Sequence, residues 1–251
     1  MELSKETFSL LAEVNASFTF RVAAQLTDEH IVAILRRTGA LIENGHFEYS
    51  HGQHGQVYVA IHRLYLFPEI AALFAERLAL FFERFRPDYV LGPAQRDTAL
   101  AYETGLRLTH IFDRSIPGLW AMPSGNEYVL PEEYARRIDG KRVVIVQDVM
   151  TTGDSARRFS DALVRVGADP VALGTIWQRG PVLPGRAGVQ DVTAIYESEL
   201  PLTADALPCE LCMERMPMTR LGGEDYVIED DVEHREDIPL VPTTLREHAE
   251  R

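Results

Sequence analysis

Apolar residues recur at helical spacing through DEHIVAILRRTGAL (28–41), directly after Thr27, whose hydroxyl can cap the first free amides; the segment predicts an amphipathic helix. Beyond it, Gly45-His46-Phe47 and HGQHG (51–55) separate two short alternating segments, and QVYVAIHRLYL (56–66) alternates apolar and polar positions as a strand does. Together these predict a small antiparallel hairpin or cap. Helical spacing returns at Pro68 and runs through Phe85, where Pro87 stops it. A regular pattern follows: DYVL (88–91) as a short buried strand, Gly92-Pro93-Ala94 as a turn, 98–108 as a helix, VVIV (143–146) as a strand, 155–166 as a helix, 167–170 as a turn and VALGTIW (171–177) as a strand.

Strands alternating with helices imply an α/β fold: a mostly parallel central sheet with helices on both faces, carrying a small N-terminal hood. The expected division is N-terminal helices and hood over 1–66, an α/β core over 67–205, and a C-terminal segment with an acidic tail over 206–251. One stretch, MPSGNEYVLPEEYARRIDG (122–140), follows neither period and is rich in turn formers and charge. It reads as a long connection, placed to close over whatever binds beyond the strand at 143.

Composition narrows the classes of function. The 251 residues are 46% hydrophobic and 25% charged, as in an ordinary soluble globular protein. No apolar run approaches the roughly 18 residues of a membrane helix, and the first residues lack a basic-then-apolar signal pattern, so a cytoplasmic chain with no membrane partner is expected. The formal net charge of -13 argues against nucleic acid as a partner and requires any phosphate-bearing ligand to be held locally. Much of that excess lies in EDYVIEDDVEHRED (224–237), which reads as a solvated extension.

Cys209 and Cys212 form a single C-x-x-C, at most half of a four-ligand zinc site, with no His or Cys following at finger-like spacing. Three readings stand: reduced structural thiols, a half-site completed by another chain or by other side chains, or redox chemistry.

The densest chemical signal is VVIVQDVMTTGDSA (143–156). In open parallel sheets ligands bind beyond the carboxyl ends of strands, where loops enter helix N-termini. Thr151, Thr152, Gly153, Asp154 and Ser155 lie at such a place. Small residues let backbone N–H groups converge, hydroxyls add donors, and the following helix contributes its positive end, which together make a phosphate cradle. With three to five donors, each worth roughly 1.5–3 kcal/mol toward a charged group, anchoring requires no lysine. Asp148, just upstream, is placed to accept hydrogen bonds from sugar hydroxyls. No P-loop, dinucleotide fingerprint, nucleophile elbow or H-E-x-x-H occurs in the chain.

VVIVQDVMTTGDS resembles the phosphoribosyl pyrophosphate (PRPP) signature of type I phosphoribosyltransferases. Other segments are similar to orotate phosphoribosyltransferase: 39–69 to its hood, LGPAQRDTALA (91–101) to its pyrophosphate loop, TIWQRGP (175–181) to the strand whose arginine faces the pyrimidine, and LPCELCMERMPM (207–218) to a C-terminal segment of some bacterial members. The resemblance implies Mg2+-dependent transfer of ribose 5-phosphate from PRPP to orotate. It assigns 151–155 to the 5'-phosphate, Gln147 and the catalytic Asp148 to the ribose hydroxyls, Pro93, Ala94, Gln95 and Arg96 to pyrophosphate, and Phe47 and Arg179 to the base. Mg2+ would be held chiefly through the substrate, and a homodimer is implied.

The chain departs from the family pattern at four places. Gln147 stands where the signature has its first acid, and Arg96-Asp97 stand where the pyrophosphate loop has two glycines. His51-Gly52-Gln53-His54-Gly55 replace S-G-x-x-S in the hood, and 122–134 contains no Lys or Arg. These leave a second reading open: a non-catalytic PRPP- or nucleotide-binding regulatory protein on the same fold.

Overall fold

The computed structural model describes residues 23–48, 54–94, 97–198 and 209–220. In chain order these form α1 (Asp28–Arg37), β1 (Leu41–Ile42), β2 (Phe47–Glu48), β3 (His54–Gly55), β4 (Tyr58–Val59), α2 (Pro68–Phe82), β5 (Tyr89–Pro93), α3 (Thr98–Phe112), β6 (Gly118–Ser124), β7 (Glu127–Val129), α4 (Glu132–Ile138), β8 (Arg142–Met150), α5 (Asp154–Arg165), β9 (Asp169–Gln178), α6 (Pro184–Ala187), β10 (Asp191–Glu197), α7 (Glu210–Met213) and β11 (Thr219–Arg220). The predicted cap of α1 is present: the Thr27 hydroxyl accepts from the His30 amide, and His30 Nδ1 accepts from the Thr27 amide.

The central sheet has the order β10-β9-β8-β5-β6-β7 and is parallel except for β7, which runs antiparallel at the edge. Helices cover both faces. Val144 and Val146 of β8 join a core with Phe74, Leu78 and Phe82 of α2 and Leu108 of α3. Val143 and Ile145 face the opposite core, against Phe159 and Leu163 of α5. Alternate residues of a strand point to opposite faces, so a strand covered on both sides has to be apolar throughout, as 143–146 is. Burying each large side chain there stabilises by about 1.5–3 kcal/mol.

Four local expectations are corrected. Only Tyr58–Val59 of the stretch 56–66 is strand; Ile61–Leu66 is a 3-10 helix, because Ile61 and Leu64, three apart, both turn into the core. Gly92 and Pro93 belong to β5 rather than to a turn. The strand at 143 runs on to Met150, carrying Gln147 and Asp148 within the sheet, where Gln147 pairs in register with Thr175. Finally, 122–140 is no irregular connection: it is the end of β6, the hairpin to β7, and α4. Its alternating flanks are too short to show a period, and the hairpin turns at Gly125, where φ is 60°.

The hood has two small sheets, β1 with β4 and β2 with β3 and β11. In the second, the chain's C-terminal described segment adds β11 parallel to β2, with Thr219 beside Phe47. Among the described residues no helix is long and apolar enough to cross a membrane.

Candidate functional site

Because β5, β8 and β9 are parallel neighbours, their carboxyl ends lie along one edge of the sheet. That edge gathers Pro93 and Ala94, then 147–155, then Arg179, whose amide donates to the Met150 carbonyl at 2.8 Å.

The loop after β8 enters α5 through Gly153, which has φ 81° and ψ 0° and takes the cap position without a side-chain cap. A left-handed residue before a helix turns successive amides toward one point, the geometry that binds anions. The position also lacks room for a side chain, since an added Cβ would lie 2.7 Å from Val182 Cγ1. Thr151, Thr152 and Ser155 are exposed around it. The Asp154 carboxylate, an awkward charge beside a phosphate, is engaged within the loop: it accepts from the Thr152 hydroxyl at 3.0 Å and from the Arg186 guanidinium. Arg186, on α6, also donates to the Thr152 carbonyl at 3.4 Å. A cation therefore stands on the cradle that no motif in the sequence signalled.

On the other side of Asp148, the turn after β5 brings in a second carboxylate. Asp97 is 3% exposed, its amide donates to the Pro93 carbonyl, and its side chain accepts from the Asp148 amide at 2.8 Å. Gly92 makes this approach feasible: a Cβ there would lie 2.9 Å from Asp97 Cβ. The Asp148 carboxylate accepts from the Val149 amide at 2.6 Å, and Gln147 is buried at 5% exposure. Tyr65, in the 3-10 helix of the hood, feels both acids. Burial first, then the charges of Asp97 and Asp148, hold its phenol far above the ordinary range. Gln95 and Arg96 lie outside the described residues, as do His51, Gly52 and Gln53 of the hood pattern and the acidic stretch 224–237.

The β6–β7 hairpin is seated on this site. Tyr128 packs against the Phe159 ring at 5.0 Å, and its hydroxyl lies 2.8 Å from that of Ser155. The nearby cations of α4 are occupied on their own helix, Arg136 with Glu132 and Arg137 with Glu133.

Phe47 is in a different sheet, buried in β2 beside Gly55 and tilted onto Tyr58 at 5.8 Å. Next to it in sequence, His46 meets His54, Cys209 and Cys212. The side chains beside the two cysteines thus come from upstream, in segments that no finger-like spacing would have joined to a C-x-x-C. Asp97, Tyr128, Arg186, His46 and His54 escaped the sequence reading for one reason: each reaches its place through tertiary pairing. Asp97 and His54 did carry a signal, as departures from the pyrophosphate-loop and hood patterns.

A mostly parallel sheet with a glycine-entered helix beyond a strand-end acid is the arrangement that the resemblance to type I phosphoribosyltransferases implies. No family model matches the chain, but curated relatives do. It is 32% identical over 198 residues to orotate phosphoribosyltransferase of Thermotoga maritima, covering 77% of this chain and 97% of that one. It is 35% identical over 205 residues to orotate phosphoribosyltransferase 2 of Mesorhizobium japonicum, covering 79% and 98%. Solved structures agree in fold: that of orotate phosphoribosyltransferase from Aeropyrum pernix has a TM-score of 0.52 at 23% identity, over 65% of this chain and 93% of that one. The Mycobacterium tuberculosis enzyme with inorganic phosphate has 0.51 at 19%, over 68% and 96%. The chain belongs to the orotate phosphoribosyltransferase family.

Proposed function

We propose that the sheet edge at β5, β8 and β9 is where this chain carries out its family's reaction. That reaction is PRPP-dependent: ribose 5-phosphate passes to orotate, giving orotidine 5'-monophosphate and pyrophosphate for pyrimidine nucleotide synthesis. The bond from the ribose anomeric carbon to pyrophosphate breaks, a bond to orotate N1 forms, and the leaving electron pair goes to pyrophosphate.

The observation that carries the placement is the Gly153 cradle standing beside the Asp97–Asp148 acid pair. In this reading Thr151, Thr152, Gly153 and Ser155 hold the 5'-phosphate, and Arg186 neutralises Asp154 so that the loop stays attractive to an anion. Asp148 accepts from a ribose hydroxyl and Gln147 bonds another through its amide. As the anomeric carbon becomes electron-poor, fixed negative charge close by lowers the barrier. The acid missing at 147 is offset by Asp97. Pro93, Ala94, Gln95 and Arg96 form the pyrophosphate side, and Arg179 and Phe47 the base side, a guanidinium being suited to the orotate carboxylate.

Mg2+ suits this edge, because carboxylate and phosphate oxygens are the hard donors it prefers. Held chiefly by the substrate, with Asp148 and Asp97 nearby, it would neutralise charge on the departing pyrophosphate. The same reading takes 67–205 as the catalytic core, flanked by the hood (1–66) and the C-terminal segment (206–251), in a cytoplasmic homodimer. The test is a coupled assay of purified protein with PRPP, orotate and Mg2+, beside calorimetry with each substrate. Turnover that requires orotate and is lost in Asp148→Asn supports the placement; PRPP binding with no pyrophosphate release would leave a binding protein.

A further inference from the structure

Far from the cradle in sequence, four metal-ligating side chains converge. His46 lies just before β2, His54 is on β3, Cys209 is the residue before α7, and Cys212 is within α7. One ligand atom from each lies within 4.8 Å of all the others. His46 Nε2 is 3.8 Å from Cys209 Sγ, 3.6 Å from Cys212 Sγ and 3.4 Å from His54 Nδ1; His54 Nδ1 is 3.3 Å from Cys212 Sγ. A tetrahedral zinc ion with bonds of about 2.3 Å to sulfur and about 2.05 Å to nitrogen gives edges of about 3.6 Å for sulfur to nitrogen and about 3.3 Å for nitrogen to nitrogen. The four distances sit close to those edges.

A second feature concerns which nitrogen is available. His46 Nδ1 is 3.0 Å from the Met216 carbonyl. A carbonyl only accepts, so Nδ1 carries the proton and Nε2 turns a lone pair toward the two sulfurs and His54. Metal-binding histidines are commonly fixed in this way, through the other ring nitrogen. Both cysteines are free thiols. Two thiolates balance a dication, so a Cys2His2 site with neutral imidazoles is uncharged overall, which suits a cluster in which His46 and Cys209 are buried.

We propose that His46, His54, Cys209 and Cys212 bind a structural Zn2+ ion. The borderline-soft N2S2 donor set and tetrahedral spacing favour zinc over the hard cation of the catalytic edge. With four protein ligands the site is closed, so its role is structural. The ion fastens α7 and β11 to the hood, adding to the short pairing of β11 with β2 and the Thr219 amide bond to the His46 carbonyl at 2.7 Å. Zinc sites of this kind convert metal affinity into folding free energy.

The test uses the full chain, purified without a metal-binding tag and dialysed. Elemental analysis should find one zinc per chain, and exchange into cobalt should give the visible bands of tetrahedral Co2+ with thiolate-to-metal charge transfer in the near ultraviolet. Stripping the zinc with a strong chelator should lower the thermal midpoint by on the order of 5 °C or more, restored by adding zinc. Cys212→Ser should lose the metal. Should that variant fail to fold, His54→Cys provides a second arm: it should keep a metal and show stronger charge transfer in the cobalt form. A wild-type chain that retains no zinc or cobalt after dialysis, or whose midpoint ignores both chelator and zinc, overturns the proposal, as does a cobalt spectrum unchanged in His54→Cys.

Discussion

The cradle after β8 and the cluster at the hood draw on the chain in opposite ways. Residues 151–155 are consecutive, and what they present is mostly backbone, oriented by one left-handed glycine at the mouth of α5. His46 and Cys212 are 166 positions apart, and what they present is side-chain chemistry, brought together by the pairing of β2 with β3 and β11. A site of the first kind tolerates changes of side chain and fails when its backbone is forced. One of the second kind tolerates sequence distance and fails when a single ligand is exchanged. On the functions proposed above, substitutions at the strand end should cost turnover with little stability, whereas substitutions at the cluster should cost stability while leaving PRPP affinity nearly unchanged.

The largest effect expected at the strand end is that of Asp148→Asn, which keeps shape and removes charge beside the reacting carbon. Losing one well-placed electrostatic group costs about 10²- to 10³-fold in turnover, and kcat/KM should fall by that order while the thermal midpoint moves by no more than about 2 °C. A loss under about fivefold would show that the acid has no part in the chemistry.

Gly153→Ala blurs the contrast, because here backbone and binding are one feature. The left-handed φ and the 2.7 Å approach to Val182 both oppose a Cβ. Destabilisation of about 1–3 kcal/mol is expected, together with a rise of about tenfold in KM for PRPP as the amides lose their common focus. Urea unfolding and steady-state kinetics on the same preparation separate the two. Unchanged KM in a destabilised protein would detach the cradle from PRPP.

Arg186 permits a finer division. Its pair with Asp154 is more than half exposed on both sides, and such pairs contribute about 0.2–1 kcal/mol, less at high salt. Arg186→Ala should raise KM for PRPP about two- to fivefold at low ionic strength by leaving the Asp154 charge uncompensated. Adding Asp154→Asn should bring KM back toward wild type. If the double variant is no better than the single, Arg186 acts on the phosphate directly.

This contrast also explains how much could be read beforehand. The sheet core was legible because a strand buried on both faces leaves an uninterrupted apolar run, and 143–146 is one. The turn into α5 was legible because its geometry depends on neighbours: Gly153 and its flanking hydroxyl residues are contiguous. Ile61–Leu66 misled because the alternation continuing from Val57 and Val59 disguises a three-residue turn. Tyr128 was hidden because its hairpin is too short to show a period. The ligands of the cluster were hidden because spacing rules describe sites built within one segment, and this one joins two.

Gln147→Asp tests the most delicate part of the strand-end reading, that Asp97 offsets the acid the signature lacks. The Gln147 side chain is buried, Asp148 is its neighbour in sequence, and Asp97 accepts from the Asp148 amide. Burial and like charge both raise the pKa of an introduced carboxyl, so its charge develops only as pH rises. The gain in kcat over wild type should therefore be no more than a few-fold and should grow from about pH 6 to about pH 9. Stability has the opposite sign: a carboxyl whose pKa is raised by folding stabilises below its unfolded value and loses that contribution as pH climbs through the folded one, so the variant should melt earlier at alkaline pH. The decisive arm places the substitution on Asp97→Asn, which keeps an oxygen for the Asp148 amide while removing the charge. If the two positions share one electrostatic duty, Asp97→Asn lowers kcat and Gln147→Asp recovers part of the loss. An effect of Gln147→Asp that is the same in both backgrounds would mean that Asp97 serves only to tie the turn after β5 to the end of β8.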